Sequence, residues 1–236
     1  MWWIIVPWQL ICCLMVQPLW NITTTQLHHY FPSIKTKSTG RQAYIIKNVA
    51  KALVLMFLTP PALWIINRIV FYKTWESALI KCMGAMYAAS DIVAVVKMYD
   101  KLPLTTKIHH SCVVVFSLMN ALVIDYNSSD LIWRHTAILA ACSTPTYGVN
   151  AYLAIRCIDE ISVHEKKRLA NVALSIYSFF ITLSAIWQMS AMFSFYATIG
   201  LHWDAYIYIG AVLLIFYDDW TLSGYLFAQS DCKKHS

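Results

Sequence analysis

The chain alternates between long apolar blocks and short polar ones. Stretches at roughly 2–20, 52–71, 78–98, 106–124, 131–154, 171–195 and 205–226 each come close to the ~20 apolar residues that a helix needs to cross a bilayer core. Seven transmembrane helices are therefore predicted, filling almost the whole chain. The connections run only to about 15–30 residues, below the ~50 that an independent domain needs, so one domain is expected. Asp100 and Pro103 punctuate the link between the third and fourth blocks, which predicts an antiparallel helical hairpin there. The Pro60-Pro61 pair predicts a kink in the second span.

Composition agrees with this pattern, since 59% of the 236 residues are hydrophobic and 13% are charged. An all-α integral membrane protein is the expected fold class. The first block lacks a basic leader and a small-residue cleavage site, so it reads as a retained span. Trp2, Trp3, Trp20, Trp75, Trp133 and Trp203 fall near predicted helix ends, where an indole marks the membrane interface. Lys35, Lys37, Arg41, Lys47 and Lys51 follow the first span without an acid among them, and Lys166, Lys167 and Arg168 lie in another connection on the same side. Cytoplasmic loops retain such cations, so the N-terminus is expected to be luminal and the C-terminus cytosolic. The net charge of +6 then reflects topology and anionic headgroups, with no nucleic-acid partner implied. Asn127-Ser128-Ser129 has the glycosylation pattern on the luminal side. The terminal KKHS places Lys233 and Lys234 where a retrieval receptor reads endoplasmic reticulum residents. Seven cysteines, mostly within apolar runs, imply no disulfide framework.

The ionisable residues inside the apolar blocks carry the candidate chemistry. Counted from the turn near residue 100, Asp91 and His110 are about equally deep in their helices. Counted from the opposite turn, His109 and His110 are level with Ser143, Thr144, Pro145 and Thr146, and Asp218 and Asp219 lie about two turns in from the end of the last span. Buried ionisable groups cost about 2.5–3.5 kcal/mol each at mid-membrane, so they normally face a bundle interior or a hydrated cavity. One polar layer around a chamber open to the cytosol is expected. Alternatively, Asp91 pairs with Lys97 or a neighbouring helix as packing glue, and the histidines snorkel to the interface. No metal site is expected, because adjacent histidines on a helix point about 100° apart.

Tyr87 and Asp91, then KLPLTTKIHH at 101–110, then STP at 143–145, together resemble the TLC (TRAM/LAG/CLN-type) domain. The resemblance spans about 40–228. It leaves 1–39 as an N-terminal transmembrane helix with a basic cytosolic loop and 229–236 as a cytosolic tail. It implies a helical bundle around a central cavity in the endoplasmic reticulum or a related endomembrane, acting on lipids. In the ceramide-synthase branch the paired histidines are catalytic. Carried over, His109 and His110 would be base or nucleophile, and Asp91 would orient a ring. Ser143, Thr144, Asp218 and Asp219 would bind substrate, and acyl-CoA would be the cosubstrate, with no bound cofactor. The acids that the family carries after the histidines and before STP are replaced here, with Ala141 two positions before the motif. The leading expectation is thus a TLC-domain protein that binds or regulates sphingolipid or phospholipid in lipid homeostasis. An acyl-CoA-dependent N-acyltransferase is the alternative, and a seven-helix receptor or transporter is the third.

Overall fold

The computed structural model describes residues 2–98, 100, 104–128, 131–200 and 202–230, and nearly all of them are helical. Lys233, Lys234, Ser129 and the first three residues of the 101–110 link lie outside the described residues, as does the side chain of His109. The helices are α1 (Trp2–Tyr30), α2 (Thr39–Tyr72), α3 (Ser77–Met98), α4 (Leu104–Leu122), α5 (Thr136–Ser143), α6 (Tyr147–Ile155), α7 (Val163–Thr198) and α8 (Trp203–Ser230). Four of them, α2, α3, α7 and α8, are long and apolar enough to cross a membrane. In α4 the apolar stretch is shorter, His110–Leu122. The fifth predicted stretch divides into α5 and α6.

That division follows from the STP motif. Pro145 has no N–H for the carbonyl four residues back, that of Ala141. The chain tightens into a 3-10 turn over Thr144–Thr146, and the Thr144 hydroxyl donates to the Ala141 carbonyl at 3.0 Å. The Ser143 and Thr146 hydroxyls likewise donate to the carbonyls of Leu139 and Ser143. The helix start at α7 is set differently. Ser162 accepts from the Glu165 N–H while Glu165 accepts from the Ser162 N–H, which closes a capping box.

The largest departure from the sequence reading is at α2. Its 34 residues begin at Thr39, well before the expected 52, and the helix runs through Pro60 and Pro61 without a break. Lys47 and Lys51, expected in a basic loop, are buried on this helix. α2 is the central element, packed against α1, α3, α5 and α6. On its far side α7 pairs with α8 and α6, while α4 lies against α3 and α8. Helices α3 and α4 approach closely at Gly84, where a Cβ would stand 2.4 Å from Asn120 Nδ2. The small-residue series Gly84, Ala88, Ala89 thus serves packing within the chain.

Of the tryptophans expected near helix ends, Trp20 and Trp133 are buried against the bundle, Trp133 just before the start of α5. Trp20 is packed inside α1's contact with the bundle and carries the Lys97 ammonium 5.0 Å over its ring, and Trp133 stacks edge-on against Tyr208. Trp203 is 76% exposed and does stand at a helix start. A second buried polar group ties α7 and α8 to the start of α5. Gln188, fully buried, donates to the His135 carbonyl at 3.1 Å and accepts from the Tyr208 hydroxyl, and the Trp187 indole donates to His135 Nδ1. Outer faces are apolar and open: Phe193 is 75% exposed and Trp220 80%. Such area in water would drive aggregation; facing lipid it is stable, and the fold is compatible with a membrane protein.

Candidate functional site

One stripe of α2, formed by Tyr44, Lys47, Asn48, Lys51 and Leu55, recurs at helical spacing and faces a cavity of about 640 Å³. The wall is completed by α3, α4, α5, α6, α7 and α8. No described residue of α1 contributes to it. Along α2 the lining extends from Tyr44 to Ile65, which at 1.5 Å per residue is about 30 Å, the length of a lipid tail with its headgroup.

The two ends differ in chemistry. Near the start of α2 the wall carries Lys47, Lys51 and Arg156, with Asp218 and Asp219 opposite. Towards Ile65 its apolar residues include Ile80, Phe116 and Phe180. Several polar groups there are hydrogen-bonded, whereas the buried Ser184 hydroxyl meets no partner among the described residues. Tyr126 donates to Asn120 at 2.6 Å, Asn120 to the Lys81 carbonyl at 3.2 Å, and Ser117 to Gln9 at 2.9 Å.

The charged centre sits between these ends. Asp91 is fully buried on α3, and its Oδ1 accepts from Lys51 Nζ at 2.6 Å. The same oxygen lies 2.9 Å from His110 Nδ1 on α4. Tyr87, one helical turn before Asp91, lies under the Lys51 ammonium at 5.8 Å. Three helices therefore meet at one carboxylate. Its anion is balanced by the ammonium, which is why a fully buried carboxylate is tolerated there. The acid partner weighed from sequence, Lys97, is engaged elsewhere with Trp20.

The structure thus brings Asp91 and His110 into contact and places Ser143, Thr144, Asp218 and Asp219 on the wall of the adjoining cavity. Thr144 is buried, with its hydroxyl turned to its own helix. Asp219 accepts from the Tyr177 hydroxyl at 2.7 Å, which fixes it from α7. Of the histidine pair, the backbone of His109 is on α4 beside His110.

Lys51, Lys47 and Arg156 escaped the sequence reading. The available signal was the K-x-x-x-K spacing of Lys47 and Lys51, which puts both on one face if the region is helical. Arg156 closes α6, where its guanidinium donates to the Tyr44 and Tyr225 hydroxyls.

Fold and site define a class: an all-helical protein with membrane-compatible apolar helices that enclose an elongated amphipathic cavity with an ionic centre. No family model, no curated protein and no solved structure matches the chain.

Proposed function

We propose that this chain is a multi-pass protein of the endoplasmic reticulum or a related endomembrane. In this reading it belongs to TLC-type bundles and acts in lipid homeostasis by holding a sphingolipid or phospholipid. All seven helical rods span the bilayer, with α5 and α6 counted as one. The end bearing Lys37, Arg41 and Lys166 faces the cytosol, where cationic segments are retained. One observation carries the reading: the cavity is charged at one end and apolar at the other over about 30 Å. That is the shape and polarity of a single membrane lipid.

The test is lipid analysis of the protein purified from membranes. A stoichiometric lipid retained by the natural chain and lost in Ala140→Trp, which fills the cavity wall, supports the reading. Equal lipid content in both forms contradicts it.

The contact between Asp91 and His110 favours a second reading, N-acyl transfer. Asp91 would hold the imidazole while His110 takes the proton of an attacking amine. The amine nitrogen would bond to the thioester carbonyl carbon of acyl-CoA, and the leaving CoA thiolate would recover that proton. Lys51 already neutralises Asp91, so an imidazolium gains less here than beside an unshared carboxylate. Membranes incubated with labelled acyl-CoA and a long-chain amine decide the matter. Amide product that disappears in His110→Ala establishes transfer, and no product from the natural chain excludes it for that acceptor.

A further inference from the structure

We propose that Lys47 and Arg156 form a recognition site for a phosphate ester, carried by an amphiphile whose chain lies in the apolar length of the cavity. The inference rests on the lipid-binding reading and adds the headgroup chemistry.

Lys47 is only 8% exposed and lines the cavity. Its ammonium rests 5.5 Å over the Tyr44 ring. Among the described residues no carboxylate comes within ion-pair distance of it, and the nearby Asp91 is in contact with Lys51. Arg156 lines the same cavity, with its guanidinium 5.7 Å from the centre of the same Tyr44 ring. It bonds two tyrosine hydroxyls and no acid, and its buried Nε meets no acceptor among the described residues. Two cations thus converge on one aromatic ring in the cavity wall, neither in ion-pair contact with a carboxylate among the described residues, while Asp218 and Asp219 line the same cavity.

A buried cation without a counter-charge is costly. It persists where a ligand supplies the anion. The planar fork of a guanidinium together with a lysine point charge suits the three oxygens of a phosphate. Depth agrees, because Arg156 caps the end of α6, and helix ends are the level at which lipid phosphates lie if the helices span the bilayer. Asn48 and Asn150 line the same cavity, the Asn48 amide donating to the Tyr44 carbonyl at 2.8 Å. Deeper, Lys51 is spent on Asp91 and is not part of the site.

Binding to the purified full chain is measured with three probes: dioleoylphosphatidic acid, palmitoyl-CoA and dioleoylglycerol, the last having chains but no phosphate. The natural chain is expected to prefer at least one phosphate-bearing probe over dioleoylglycerol by roughly 10- to 100-fold, the range for hydrogen bonds to charged groups. Lys47→Met and Arg156→Met are each expected to bring that ratio towards parity. The ratio, with dioleoylglycerol measured on the same sample, separates lost recognition from lost fold. Preference for phosphatidic acid assigns the phosphate to a lipid headgroup, and preference for palmitoyl-CoA to a thioester cosubstrate. Equal binding of all three probes overturns the phosphate site and leaves lipid binding standing. A ratio unchanged in both variants also overturns it. Failure of every probe to bind the natural chain overturns the lipid-binding reading as well.

Discussion

At the residue scale the molecule turns on Asp91, a carboxylate with no exposure whose Oδ1 is shared by Lys51 and His110. Removing one partner of such a buried pair leaves an uncompensated charge, which costs about 3–5 kcal/mol. Lys51→Met is therefore expected to lower thermal stability in nanodiscs by that order. Lys51→Met combined with Asp91→Leu should recover most of the loss, because the pair is then replaced by apolar groups. A single variant as stable as the natural chain would show that the pair is not what holds α2 to α3. Half of this centre was legible in the sequence. Asp91 and His110 flank one tight link, so helical rise alone sets them at similar depth. Lys51 was not legible, because a lysine beside four other cations reads as a loop residue. Only the fold reveals that α2 starts early enough to carry it inward.

At the element scale, the readable boundary was the link between α3 and α4, where Asp100 and Pro103 predict a break and the structure ends α3 at Met98 and starts α4 at Leu104. The break at STP was not read from the sequence, although proline removes a donor there; the Ala141 carbonyl accepts instead from the Thr144 N–H and hydroxyl. The start of α2 carries no comparable mark, since Ser38 makes no side-chain cap. Packing against α6 and α3 extends it instead. The α3–α4 contact depends on Gly84, and Gly84→Ala is expected to destabilise by about 1–3 kcal/mol, as overpacking does. The added methyl displaces Asn120 from the Lys81 carbonyl and Tyr126. Asn120→Ala in the same chain should relieve that crowding, and thermal unfolding of the two forms checks it. At the charged end, the connection before α7 is latched to the segment after α1. Lys37 pairs with Asp159 at 2.7 Å, and the Ser33 N–H donates to Glu160 Oε1 at 2.7 Å while its hydroxyl donates to Oε2. Donation from the Ser33 hydroxyl, and then from its N–H, holds the Glu160 carboxyl below the usual glutamate range. A depressed folded value means the latch is at full strength above about pH 4.3, the ordinary glutamate value, and weakens as pH falls through the lower folded one. Hydrogen exchange at the Ser33 amide should rise relative to the intrinsic rate only in that acid window, and an unchanged protection there would contradict the latch.

At the scale of the whole molecule, apolar surface faces outward on α7 and α8 while charge is gathered inside, the inverse of a water-soluble bundle. Hydropathy made the helical architecture visible because each block had to be long. It could not show the cavity, which depends on which stripe of each helix points inward. The proposed orientation places Asn127 in the lumen and α2's start in the cytosol, and glycosylation of a sequon engineered at Lys37 would reverse it. The central claim, that the cavity holds a lipid with its chain at the Ile65 end, is tested most directly by photo-crosslinking with a lipid bearing a diazirine in its acyl chain. Labelling of Ile80, Phe116 or Phe180, abolished by Ala140→Trp, is the expected result. Labelling confined to outward residues such as Phe193 and Trp220, and unaffected by that substitution, would contradict it.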